Sequence, residues 1–180
     1  MGHEFPRPGH ASCLAQPSCK LPVHMAKIYF SGSITGGRGD VPLYRRIVET
    51  LESAGHRVLA GVVTAMDITA AGEAIDNVAI FQRDLEWIRE VAESGGILVA
   101  EVSQPSTGVG YEIATARYRY GIPVICLYRP AYTKRCTAMV SGDAAIETIQ
   151  YEDAGVDSML ARLIRAIDAA DTSRQTALRE

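Results

Sequence analysis

The sequence predicts an α/β fold in which a doubly wound, five-stranded parallel sheet is covered by helices on both faces. Short apolar runs alternate with amphipathic stretches from residue 25 onward, which is the pattern of strand-helix repeats that build parallel sheets. Two of the runs, at 97–102 and 123–128, are almost continuously apolar, as is typical of strands buried on both faces. With 180 residues, 47% of them hydrophobic, the chain is long enough for one sizeable core.

Five runs rich in β-branched, aromatic and other apolar residues are the predicted strands. They lie at 26–30, 56–60, 97–102, 123–128 and about 147–151. Glycine- and serine-rich segments follow the first and the third of them. Both segments are candidate ligand sites, because sheets of this type bind ligands at the carboxyl ends of their strands.

Four helices are predicted from helical spacing and from residues that begin or end helices. They cover 40–55, 73–94, 111–121 and 156–170, and the segments 61–72 and 129–143 are predicted to be connections. Asp40 is the candidate N-cap of the first helix, and Pro42 lies in its first turn. Two glycines end the second helix. Its predicted apolar stripe consists of Val78, Phe81, Leu85, Ile88 and Ala92.

Residues 25–172 are predicted to form a single domain. Residues 1–24 carry four prolines and no periodicity, which predicts a disordered extension, and residues 173–180 are predicted to form a frayed tail.

Composition argues against several classes of function. The net charge of -3 offers no basic surface for a nucleic acid, and no apolar stretch approaches the ~18 residues of a membrane span. The four cysteines and four histidines match no zinc-binding spacing. We therefore expect a cytoplasmic protein, with a nuclear location as the alternative, whose thiols are reduced and whose ligand is a small molecule. We expect no metal, no cofactor, and no nucleic-acid or membrane partner.

The loop after the first predicted strand is a candidate phosphate site. Gly32 and Gly37 have the spacing of a P-loop, but Arg38 and a glycine follow where that motif has Lys and Ser or Thr, so an ATPase is not predicted. The order of glycines in a dinucleotide-binding turn is also absent. A glycine-rich loop between strand and helix can still hold a phosphate with backbone N–H groups, and Arg38 could neutralise its charge. The alternative is an ordinary tight turn.

Two carboxylates are candidate catalytic groups. Asp84 falls between the predicted apolar stripe and a smaller apolar cluster, where an ionised carboxylate needs partners or a function; the alternative is a structural Asp paired with an arginine. Glu112 is predicted to lie in the first turn of the third helix, where the helix dipole would keep it ionised and able to act as a nucleophile. The alternative is that Glu112 only stabilises that helix.

Three motifs occur together: YFSGSITGGR at 29–38, DLEW at 84–87 and AEVSQPSTGVGYE at 100–112. In this order and spacing they closely resemble the 2'-deoxynucleoside 5'-phosphate N-hydrolases, which belong to the nucleoside 2-deoxyribosyltransferase superfamily. The resemblance runs from about Lys27 to the last helix. It implies a flavodoxin-like sheet, a homodimer, and hydrolysis of the N-glycosidic bond of 2'-deoxynucleoside 5'-monophosphates to a free base and 2-deoxyribose 5-phosphate.

Carried over position by position, the resemblance makes Glu112 the nucleophile at the anomeric carbon, through a covalent glycosyl-Glu intermediate. Asp84 would be the acid or a positioning partner, and Tyr29 would orient Glu112 and the sugar. The resemblance and the glycine loop together place the substrate and its phosphate at Gly32, Ser33, Ile34, Thr35, Gly36, Gly37, Arg38, Ser106 and Gly108. Thr137, where the family commonly has Ser, would reach the active site of the neighbouring subunit.

Two other functions remain open at this point. A nucleoside 2-deoxyribosyltransferase would pass the same sugar from an unphosphorylated nucleoside to another base. A nucleotide-binding module without turnover could use the same sheet. The pair of candidate carboxylates argues against it, because retaining glycosidases use two carboxyl groups around the glycosidic bond.

Overall fold

The computed structural model of the chain describes residues 25–34, 38–69, 71–132 and 135–177. The predicted extension over 1–24 lies outside the described residues, and so do the predicted site residues Thr35, Gly36 and Gly37. Within the described ranges, no helix is both long enough and apolar enough to span a lipid bilayer.

One parallel sheet forms the centre of the molecule. Its strands are β1 (Lys27–Ser31), β2 (Arg57–Leu59), β3 (Ile97–Glu101), β4 (Val124–Tyr128) and β5 (Ile146–Gln150). They are hydrogen-bonded in the order β2-β1-β3-β4-β5, the flavodoxin-like arrangement, with Tyr29 opposite Leu98 and Ala100 opposite Cys126. The predicted five-stranded parallel sheet is confirmed.

Helices cover both faces of this sheet. They are α1 (Val41–Ser53), α2 (Asn77–Glu93), α3 (Thr107–Ala114), α4 (Ala138–Ser141) and α5 (Val156–Ala177). On one face α1 and α5 enclose a core that includes Phe30 and Tyr44, and on the other α2 and α3 enclose a core that includes Ile88 and Ile113. The predicted doubly wound architecture is therefore confirmed.

Two helices begin at residues other than those predicted, because each starts directly after a polar residue whose side chain caps it. The carboxylate of Asp76 accepts from the backbone N–H groups of Val78 and Ala79, so α2 begins at Asn77 and not near residue 73. Ser106 caps α3 in the same way, so this helix begins at Thr107, before its predicted start at residue 111. At the other end of the chain, α5 continues to Ala177, past the predicted start of the tail at residue 173.

The first two residues of the predicted apolar stripe of α2 are exposed and not buried, so this part of the prediction is wrong. Val78 and Phe81 are 57% and 50% exposed, whereas Ile88 and Val91 are fully buried. The C-terminal half of α2 packs on the sheet, whereas residues of its N-terminal half border a cavity. The predicted end of the helix is confirmed: Gly95 has φ 71° and donates to the carbonyl of Ala92.

A buried cluster of charges joins the loops at the carboxyl edge of the sheet. Asp40 occupies the predicted N-cap position of α1, but its carboxylate does not cap the helix; it accepts instead from Arg129 Nη2. The backbone N–H of Arg129 donates to Ser103 Oγ (2.8 Å), and Arg129 Nε lies 3.7 Å from Glu101 Oε1. Tyr151 also donates to Glu101 (3.0 Å). The cluster thus fixes the loops that follow β1, β3 and β4.

Candidate active site

A cavity of about 220 Å³ opens at the carboxyl edge of the sheet, between α2 and α3. Seven of the residues predicted from sequence line it: Tyr29, Gly32, Ile34, Asp84, Ser106, Gly108 and Glu112. They come from β1 and its loop, from α2, and from α3 with its N-cap residue. This is the edge at which α/β sheets bind ligands, so the predicted ligand site and the cavity coincide.

Glu112 is held at both carboxylate oxygens by residues of β1. Tyr29 donates its hydroxyl to Oε1 (2.9 Å), and Ser31 donates its hydroxyl to Oε2. Tyr29 and Ser31 are two positions apart, and because side chains alternate along a strand they face the same helix. Two donors fixed on a central strand therefore set the orientation of this carboxylate.

The prediction that Glu112 lies in the first turn of its helix, where the helix dipole would stabilise its charge, is wrong. Because α3 begins at Thr107, Glu112 is its sixth residue and lies in the second turn, beyond the N–H groups that are free at the helix start. Burial raises the pKa of Glu112, and the hydrogen bonds from Ser31 and Tyr29 offset part of that rise. The charge of Glu112 is thus stabilised by side-chain donors and not by the dipole.

Asp84 has both an arginine partner and a place in the cavity. Arg83 Nε donates to Asp84 Oδ1 (2.9 Å), and the side chain of Asp84 is 21% exposed. Burial raises the pKa of Asp84, while the hydrogen bond and charge of Arg83 act in the opposite direction. Arg83 is itself bound by Glu73 through two hydrogen bonds of 2.6 and 2.7 Å. The pairing with arginine and the catalytic interpretation are compatible here.

Two described residues of the predicted phosphate loop after β1 lie outside the lining of the cavity. Ser33 is fully buried and is not among the residues that line the cavity. Arg38 also lies outside the lining and donates to the carbonyls of Val62 and Ala65. Since Val62 lines the cavity, Arg38 supports its wall. The Ser106 hydroxyl accepts from Val109 N at 3.4 Å.

Thr137 is exposed and lies in a second groove of about 650 Å³ between α3 and α4. Ser106 and Val109 line both this groove and the cavity, but Thr137 and Glu112 do not share either space. Within one chain, therefore, Thr137 is not part of the site that contains Glu112.

The cavity also contains residues that the sequence did not single out. Ser31, Arg83 and Trp87 line it, together with the segment that begins at Gly61. Ser31 could have been found from its position two residues after Tyr29, and Arg83 from its position beside Asp84. Gly61 has φ +52°, and a Cβ there would lie 3.0 Å from the Trp87 ring, a proximity that only the fold creates. In the part of the chain that the structure describes, no three His, Cys, Asp or Glu side chains are grouped as metal ligands.

No protein-family model matches the chain. It is 45% identical over 118 residues to "Putative 2'-deoxynucleoside 5'-phosphate N-hydrolase 1" of Nematostella vectensis, which covers 64% of this chain and 76% of that protein. It is 40% identical over 144 residues to the human 5-hydroxymethyl-dUMP N-hydrolase, covering 77% of this chain and 79% of the human protein. The mouse protein of the same name is also 40% identical over 144 residues, which cover 77% and 80% of the two chains.

Proposed function

Because the chain belongs to the family of 2'-deoxynucleoside 5'-phosphate N-hydrolases and is an N-glycosidase, we propose that it cleaves deoxynucleoside monophosphates through a covalent intermediate on Glu112. The observation that carries this proposal is the double hydrogen bonding of Glu112 by Tyr29 and Ser31, in a cavity that also contains Asp84. A carboxylate oriented in this way can attack, and a second carboxyl group in reach of the same substrate can serve the leaving group.

In the first step, a carboxylate oxygen of Glu112 attacks C1' of the deoxyribose. The bond from C1' to the base nitrogen breaks, its electron pair stays on the base, and the carboxyl group of Asp84 supplies the proton that the base takes up. Because a 2-deoxy sugar lacks the electron-withdrawing 2'-hydroxyl, positive charge at C1' forms more readily in the transition state.

In the second step, water attacks C1' of the glycosyl-Glu112 ester. The bond from C1' to the carboxylate oxygen breaks, and the carboxylate of Asp84 accepts the proton of the water. Both carboxyl groups return to their starting states. The products are the free base and 2-deoxyribose 5-phosphate.

The 5'-phosphate is proposed to bind where the loop after β1 meets the start of α3. Ile34 from that loop lines the cavity, as do Ser106 and Gly108, which lie at the N-terminus of α3. Backbone N–H groups that are free at a helix N-terminus attract phosphate. The phosphate and the anomeric carbon would then be held from two sides of one cavity.

We expect removal of the 5'-phosphate from the substrate to lower kcat/KM at least ~100-fold. Several charge-assisted hydrogen bonds of ~1.5–3 kcal/mol each would be lost, and the binding energy of this remote group would no longer act at C1'. The measurement is chromatographic detection of free base from 5-hydroxymethyl-dUMP and the four common deoxynucleoside monophosphates, each compared with its parent nucleoside. Inorganic phosphate should compete with the nucleotides.

Equal rates on nucleosides and nucleotides would contradict the phosphate site. If, in addition, a second base accepted the sugar in place of water, the protein would be a transferase. No base release from any of the compounds would leave the nucleotide-binding module as the function.

A homodimer is proposed to complete the active site, with Thr137 contributed to the cavity of the other subunit. Val78, Phe81 and Tyr111 are about half exposed on α2 and α3, and the rings of Phe81 and Tyr111 lie 6.2 Å apart. Exposed apolar clusters of this kind mark protein interfaces. In sedimentation velocity we expect the unmodified protein to be a dimer and the Phe81→Lys variant to be a monomer. The Met66→Lys variant, which changes an exposed apolar residue before α2, should remain a dimer. A monomeric unmodified protein would contradict this assembly.

A further inference from the structure

We propose that Arg83 is a positioning residue for Asp84, and that Glu73 is the anchor that fixes Arg83 in this role. The inference rests on the proposed function, in which Asp84 exchanges a proton with the leaving base. It concerns Arg83 and Glu73, to which the family resemblance assigns no role.

The guanidinium of Arg83 is held on three sides. Two of its nitrogens bind the two carboxylate oxygens of Glu73, at 2.6 and 2.7 Å, which is the paired geometry that a planar guanidinium favours. Its Nε binds Oδ1 of Asp84 at 2.9 Å. Its central carbon lies 4.9 Å from the centre of the Trp87 ring, in the range of a cation-π contact. The guanidinium is thus fixed in place by contacts within the protein.

This arrangement selects one oxygen of Asp84 for the reaction. Among the residues that the structure describes, both contacts of Asp84 with Arg83 use Oδ1. Since Asp84 lines the cavity, Oδ2 is the oxygen that remains for a proton of the leaving group. An acid held at one oxygen has less freedom to turn away from the base, and orientation of this kind contributes to rate.

Burial raises the pKa of Asp84, and the charged groups next to it modify that rise. Arg83 favours its carboxylate form, whereas Glu73 favours its protonated form. Glu112 and Tyr29, on α3 and β1, interact electrostatically with Asp84 across the cavity. Because Arg83 is the cation in contact with Asp84, its removal should shift Asp84 towards the protonated form. The same removal should act on Glu112 in the same direction and more weakly, since Arg83 is a minor influence there.

Arg83 also differs from a residue that only stabilises the fold. Its side chain is 26% exposed, and it lies on the half of α2 that borders the cavity, away from the buried contacts of Ile88 and Val91. A neutral replacement should therefore leave the domain folded, which circular dichroism can verify. The matched control is Arg89, which lies on the same helix and pairs with Glu86 and Glu93 on its exposed face.

The experiment compares Arg83→Gln, Arg83→Lys and Arg89→Gln. In protein without nucleotide, the side-chain carboxyl carbon of Asp84 is titrated by NMR, with its signal assigned by its loss in Asp84→Asn. We expect the midpoint to move to higher pH in Arg83→Gln, to return part of the way in Arg83→Lys, and to stay unchanged in Arg89→Gln. On the nucleotide substrate, kcat of Arg83→Gln should fall about 10- to 100-fold while KM changes less than about threefold.

An unchanged midpoint in Arg83→Gln would overturn the inference, and so would an equal shift in Arg89→Gln. A fall confined to KM would instead make Arg83 a substrate contact and would also overturn it. The titration does not depend on turnover. If no deoxynucleotide released its base, the hydrolase would be refuted while the result for Asp84 and Arg83 would stand.

Discussion

Glu112→Gln is expected to lower kcat by ~10³-fold or more while nucleotide binding is largely retained. An amide keeps the size of the side chain and can still accept from Tyr29, but it cannot form the ester with C1'. Binding persists because the nucleophile acts chiefly in the transition state, and because a neutral side chain does not repel the phosphate. Steady-state kinetics give kcat, and calorimetric titration with a deoxynucleoside monophosphate gives Kd.

Glu147→Gln is the control, since Glu147 is exposed on β5, away from the cavity, and should keep the unmodified rate. Rapid acid quenching followed by mass spectrometry should detect deoxyribose phosphate on the peptide that contains Glu112. If Glu112→Gln kept more than about a tenth of the rate, the nucleophile would have to be another residue.

Arg129→Met is expected to lower the free energy of unfolding by about 3–5 kcal/mol. The side chain of Arg129 is 4% exposed and neutralises two carboxylates that are buried with it, those of Asp40 and Glu101. Methionine fills similar space but leaves both carboxylates without their cation. Denaturation in guanidinium chloride should show a lower midpoint with an unchanged slope.

The pH dependence of this loss distinguishes charge from packing. Burial raises the pKa of Glu101 in the folded protein, and without the cation this pKa should rise further. The ionised carboxylate of Glu101 then disfavours folding more strongly, so the stability deficit should shrink as pH is lowered through its raised pKa. Arg46→Met is the matched control, because Arg46 pairs with Asp157 at the surface and its loss should cost less than about 1 kcal/mol. A deficit independent of pH would attribute the loss to packing.

The pattern of apolar residues and glycines along the sequence was sufficient to predict most of the strands and helices. The continuous apolar runs that become β3 and β4 have all five residues buried, because a strand inside a doubly wound sheet has no polar face. The two glycines after α2 ended the helix as predicted, since only local backbone conformation is involved. The starts of α2 and α3 were predicted at the wrong residues because several polar residues nearby could cap each helix. Which of them forms the cap depends on how the preceding loop packs.

The sequence by itself therefore determined the order of the strands and of the longer helices along the chain, the edge of the sheet at which the cavity opens, and the candidacy of Glu112 and Asp84. Only the tertiary structure decided which groups hold Glu112 and Asp40. Tyr29 is 83 residues from Glu112, and Asp40 is 89 residues from Arg129, so no local pattern specifies either contact. Burial and hydrogen bonding depend on the neighbours that folding brings together, and they reversed the electrostatic setting predicted for Glu112, whose pKa is raised by burial.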